Sequence, residues 1–104
     1  MSGEPAIAVI DVSLAGYRRP RYEENLHGLA RSRELRIEEW IRFEGDVDRP
    51  GALILGARDR TGAKKILAPS LNHLRNTHRL MTIWADVHVV GRWKTYPRGH
   101  RWTS

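Results

Sequence analysis

Residues 6–12 read AIAVIDV, a near-continuous apolar run rich in β-branched side chains. Strict alternation of apolar and polar residues would mark a strand with one wet face. Its absence over Ala6–Val12 predicts a strand covered on both faces. The rest of the chain must then cover two sides of a sheet, and it has 104 residues to do so. That length suits one domain, because two halves would each be too small to hold a core unaided. Stapling is excluded as well: the chain has no cysteine for a disulfide or a zinc–thiolate site.

The segment Leu14–Arg21 contains Gly16, Pro20 and three arginines and reads as a loop. Tyr22, Leu26, Leu29 and Ala30 recur at helical spacing and predict one face of a helix. Leu35–Phe43 (LRIEEWIRF) is short and alternates imperfectly, which predicts a second strand. Residues 44–51 are rich in Gly, Asp and Pro and read as a loop, with Asp48 placed to cap a short helix from near Pro50 to about Asp59. Thr61 and Gly62 break that helix, and Lys65–Ala68 (KILA) enters as a third strand. Leu71, Leu74, His78, Met81 and Trp84 then follow one long helical spacing, with Arg75 and Arg79 facing elsewhere. Val87–Val90 (VHVV) is a fourth strand. The order βαβαβαβ predicts an α/β domain over residues 1–90. Its mostly parallel four-stranded sheet carries short helices on both faces, in three layers. Residues 91–104 form a basic, aromatic carboxy-terminal tail.

Composition narrows the function classes. No apolar run approaches the roughly 20 residues that span a bilayer. The amino terminus, acidic at Glu4, lacks the basic-then-apolar layout of a secretory signal. A soluble cytoplasmic protein with no membrane contact is the expectation. Lys and Arg number 18 against 12 Asp and Glu, a formal charge of +6. All the acids lie within residues 1–90, whereas the tail carries Arg92, Lys94, Arg98 and Arg101 with no acid. A nearly balanced body with a basic tail points to a polyanionic partner. Most of the cations are arginine, which suits bidentate phosphate contacts and equally follows from a GC-rich coding sequence.

In parallel sheets, sites lie at the carboxyl ends of strands. Those ends are Val12–Ser13, residues 44–49 and Pro69–Asn72, and there the chain begins to look familiar. Val9–Ser13 (VIDVS) ends in a serine, Tyr22–Ala30 (YEENLHGLA) supplies the next helix, Asp48–Leu53 reads DRPGAL, and Leu71–Thr77 reads LNHLRNT. In these four stretches, over roughly residues 6–90, the chain resembles the catalytic domain of serine recombinases, the resolvase and invertase group. The resemblance implies a resolvase-like fold and places Ser13 at the family's nucleophile. It also exposes departures. Asp11 stands where the family has its first active-site arginine, and His73 and Asn76 stand where it has two later ones.

Those departures decide the chemistry. Attack on a phosphodiester needs an activated nucleophile and a positive cradle for the charge that develops on the phosphoryl oxygens. Losing one such stabilising group costs on the order of 10²–10³ in rate, so losing three leaves Ser13 and, as a base or weak cation, His73 as the remaining catalytic candidates. Read without the resemblance, Ser13 is a serine that ends a strand and satisfies a loop backbone group. Asp11, in an apolar strand, needs a partner such as His73 or a loop arginine.

Arg18, Arg19 and Arg21 form the densest basic cluster of the body. In the tail, Trp93, Tyr96 and Trp102 interleave with Arg92, Lys94, Arg98, His100 and Arg101, the mixture of stacking surfaces and cations that binds nucleic acid without strict sequence preference. The competing expectation is that the tail folds back and its tryptophans cover the core. The five histidines show no ligand spacing, and Glu44, Asp46 and Asp48 are turn formers, so no metal is expected. Without a Gly-rich phosphate motif, no cofactor is expected either. The preferred reading is a catalytically degenerate serine-recombinase-like module. It binds DNA through Arg18, Arg19, Arg21, Arg92, Trp93, Lys94, Arg98, Arg101 and Trp102, and it forms a homodimer or pairs with a recombinase. The alternatives are active strand transfer through Ser13 and a protein-interaction module docking on a recombinase or another partner.

Overall fold

The computed structural model describes residues 3–44 and 47–103, with the side chain of Arg92 excepted. The first strand, β1 (Glu4–Asp11), is followed by a single helical turn, α1 (Val12–Ala15), a 3₁₀ turn (Gly16–Arg18) and helix α2 (Arg19–Ser32). Strand β2 (Leu35–Phe43) leads to α3 (Pro50–Thr61) and β3 (Lys65–Ala68). A second 3₁₀ turn (Leu71–Leu74), α4 (His78–Trp84), β4 (Asp86–Val89), a third 3₁₀ turn (Gly91–Trp93) and β5 (Lys94–Tyr96) complete the chain. The strands form one sheet in the order β2-β1-β3-β4-β5, parallel throughout except for the antiparallel β4–β5 pair.

The expectation of an α/β domain with a mostly parallel sheet holds, and the strand count is corrected from four to five. Residues 94–96, read as tail, pair with β4 in the register Val89↔Lys94 to Val87↔Tyr96. Cover on both faces also follows from β1. Ala6, Ala8 and Ile10 pack with Leu26, Leu29 and Ala30 of α2. On the other face, Ile7 and Val9 pack with Ile54 and Ala57 of α3 and Met81 of α4.

Four local expectations are corrected. The segment Leu14–Arg21 is mostly helical, and β1 ends at Asp11 because that residue turns the chain into α1. The helix opening at Pro50 has Arg49 at its cap position and no side-chain cap bond, so Asp48 does not cap it. The single long helix expected over residues 71–84 is interrupted, because Arg75 (φ 49°) and Asn76 (φ 65°) are left-handed. The imperfect alternation of β2 has a definite cause. The register against β1 shifts between Ala6↔Ile37 and Ile7↔Glu39, so Glu38 is an extra residue in the strand. Leu35, Ile37 and Trp40 therefore face α2, while Ile41 and Phe43 face α3.

Candidate functional site

The strand order reverses direction between β1 and β3, since the chain moves from β1 outward to β2 and then back across to β3 and β4. The crevice outside the carboxyl ends of such a strand pair is where open α/β sheets bind ligands. Asp11 ends β1 there, and the turn after β3 brings His73 and Arg75 over it.

Asp11 is buried (4% exposed), yet its charge is fully met. Arg75 grips it with both edges of the guanidinium, Nε to Oδ2 at 2.7 Å and Nη2 to Oδ1 at 3.0 Å. The same Oδ1 accepts the amide N–H groups of Ser13 (3.0 Å) and Leu14 (3.4 Å), which starts α1. The Arg75 hydrogen bonds, the Leu14 and Ser13 amides and the guanidinium charge outweigh burial and hold the carboxyl below its ordinary value of 3.8. Arg75 also lies over the Phe43 ring, 5.2 Å from its centroid. Its left-handed backbone, followed by left-handed Asn76, points the side chain back at the strand end instead of along a helix.

His73 is buried, and its Nδ1 accepts the Asp11 backbone N–H at 2.9 Å. That bond fixes the neutral tautomer with its proton on Nε2. Burial pushes the imidazole below its ordinary 6.5 against the opposing pull of Asp11. The ring meets Tyr22 edge-on at 5.7 Å. Ser13 is exposed on α1, and among the described residues no side chain hydrogen-bonds its hydroxyl. Asn76 is exposed. The structure thus brings Asp11, Ser13 and His73 to one strand end. It commits His73 to the backbone through Nδ1, and no hydrogen bond links His73 to Ser13 among the described residues. Sequence reasoning missed Arg75, whose only available signal was a buried aspartate in need of a cation.

The expected nucleic-acid residues are divided by the sheet. Arg18, Arg19 and Arg21 are exposed where α2 begins, at the same carboxyl end as Ser13. Arg18 lies over the Tyr17 ring at 5.5 Å, and Arg19 is 3.6 Å from Glu23. Lys94 stands opposite Val89, so Lys94 and the 56% exposed Trp93 share that carboxyl end. Arg98 lies at the other end, its backbone N–H bonded to Asp86 Oδ1 at the start of β4. Arg101 is exposed, whereas Trp102 is half-buried. Trp102 stacks on Tyr96 (5.0 Å), meets His78 edge-on (4.7 Å) and donates its Nε1–H to Thr82 Oγ1 at 2.8 Å. The tail therefore folds back onto α4 at this residue while Lys94, Arg98 and Arg101 stay exposed. The Arg92 side chain and Asp46 lie outside the described residues.

Among the described residues no three His, Asp or Glu side chains come together as metal ligands, and no helix is long and apolar enough to cross a membrane. Compared with protein-family models, with curated proteins and with solved structures, the chain matches none.

Proposed function

We propose that the chain is a catalytically degenerate serine-recombinase-like module that binds DNA at the carboxyl end of its sheet. The observation that carries this reading is the bidentate Asp11–Arg75 pair beside the exposed Ser13. A phosphoryl-transfer site at this strand end needs a guanidinium aimed at substrate oxygens. Here the guanidinium that arrives is spent on an internal carboxylate, so the crevice offers a phosphate little net positive charge. Among the described residues no base hydrogen-bonds the Ser13 hydroxyl, and His73 at the same strand end keeps Nδ1 for the Asp11 amide. A hydroxyl without a base or a charged cradle is a poor nucleophile.

DNA remains the favoured partner because the cations around the crevice are exposed and arginine-rich. Arg18, Arg19 and Arg21 flank Ser13, with Trp93 and Lys94 along the same end. Such contacts hold phosphates without reading bases, which predicts modest, salt-sensitive affinity. The test of degeneracy is intact-mass measurement after incubation with duplex DNA. The expected result is unmodified protein. A covalent DNA adduct present in the natural chain and absent from Ser13→Ala would overturn the reading in favour of active strand transfer.

A further inference from the structure

The opposite, amino-terminal end of the sheet carries a second basic surface that the sequence pattern does not single out. A depression of about 680 Å³ there is lined by Arg31, Arg33, Lys65 and His88, together with Glu4 and Glu34. It shares Glu4 and Lys65 with a neighbouring depression, which in turn shares Lys64, Trp84 and Arg98 with a third. The three form one trough crossing the starts of β2, β1, β3 and β4.

The charges of this trough are unevenly satisfied. Lys65 is paired with Asp86, which also accepts the Arg98 backbone N–H. Among the described residues, the side chains of Arg31, Arg33, Lys64 and Arg98 have no ion pair, against two unpaired carboxylates, Glu4 and Glu34. Arg31 and Arg33 also sit at the end of α2, where cations oppose the carbonyl end of the helix dipole. Lys64 and Arg98 lie outside every helix, so that role does not account for them. The floor of the trough responds to the same field. Burial first, then the charges of Lys65 and Arg33, hold the His88 imidazole below its ordinary 6.5 despite Asp86. His88 Nδ1 meets Thr95 Oγ1 at 2.8 Å.

We infer that this trough is a second phosphate-binding surface, shaped for one strand of a nucleic-acid backbone. Four adjacent strand ends span roughly 14 Å at about 4.8 Å per strand. That length accommodates about three successive phosphates of one duplex strand, because the winding backbone separates them by roughly twice the 3.4 Å axial rise. The cations without ion pairs outnumber the unpaired carboxylates beside them four to two, which leaves the trough net positive toward a phosphate backbone. The inference rests on the nucleic-acid reading above and adds to it a consequence: basic surfaces at both ends of the sheet let one molecule contact two backbone segments.

The test compares three forms of the full chain: natural, the fourfold variant Arg31→Gln, Arg33→Gln, Lys64→Gln and Arg98→Gln, and the carboxyl-end variant Arg18→Gln, Arg19→Gln and Arg21→Gln. Binding to a short random-sequence duplex is measured against salt, and the His88 ring is titrated by NMR with and without duplex. The expected results are a salt slope shallower by roughly 3 units in the fourfold variant and a His88 pKa raised by bound duplex. Loss of binding in the carboxyl-end variant alone, with His88 unmoved, overturns the inference and leaves the reading above intact. No binding by the natural chain overturns both. A His88 shift produced equally by inorganic phosphate at matched phosphate concentration overturns the backbone assignment in favour of a small anion. Should the fourfold variant fail to fold, Lys64→Gln and Arg98→Gln singly, each expected to flatten the slope by roughly one unit, decide the same question.

Discussion

A carboxylate at the end of an apolar strand is costly to bury unless its charge and lone pairs are met. Asp11 meets that demand two ways, through Arg75 and through the Ser13 and Leu14 amides, while its own main-chain N–H donates to His73 Nδ1. Asp11→Asn keeps an oxygen for the amides but leaves the guanidinium without its counter-charge. The expected cost is about 3 kcal/mol, the lower end for breaking a buried pair because the Arg75 side chain stays 21% exposed. Asp11→Ala also removes the cap, adding about 1 kcal/mol. Chemical denaturation of both variants checks the difference. Since the folded pKa of Asp11 is depressed, its contribution is fully present above the ordinary 3.8 and is lost as pH falls through the lower folded value. In Asp11→Asn that acid-limb slope should flatten.

The elements show where a sequence is legible and where it is silent. The covered strand β1, the helix face at Leu26, Leu29 and Ala30, and KILA were readable because apolar spacing reports burial directly. Two features were hidden. The helical spacing from Leu71 to Trp84 is real, but Arg75 and Asn76 leave the right-handed region without a glycine or proline to announce it. That break delivers Arg75 to Asp11, so the central contact of the site was unreadable locally, whereas the need of a buried aspartate for a cation was readable. β5 was hidden because three residues, KTY, give no period, and its antiparallel pairing follows only from the turn at residues 91–93. Its stability comes from what lies beyond it, the docking of Trp102 on Tyr96, His78 and Thr82. Trp102→Ala should therefore cost about 2 kcal/mol, less than the roughly 3–5 of a fully buried tryptophan. It should also speed amide hydrogen exchange in residues 94–96. Unchanged exchange there would show that β5 does not depend on the fold-back.

At the scale of the whole molecule, three buried or half-buried imidazoles share one tendency. His73, His78 and His88 are each held below 6.5, with burial the leading cause, and among the described residues His78 Nδ1 is buried without a hydrogen-bond partner. The unfolded chain takes up these protons first as pH falls, so stability is complete above about 6.5 and declines below it. The slope is about 1.4 kcal/mol per pH unit for each histidine that lags. Urea midpoints between neutral and mildly acidic pH check this, and a flat profile across that range would contradict it. The same molecule presents an internally neutralised crevice ringed by exposed arginines, the ring proposed above to grip DNA. The most direct test is fluorescence anisotropy with a random-sequence duplex at about 50 and about 200 mM salt. The natural chain is set against the full-length Arg18→Gln, Arg19→Gln and Arg21→Gln variant, because truncating the tail would also remove β5. The account predicts binding that weakens steeply with salt, and a variant with lower affinity and a slope shallower by roughly 2–3 units. No binding by the natural chain at the lower salt, or a variant that binds as well with the same slope, would contradict it.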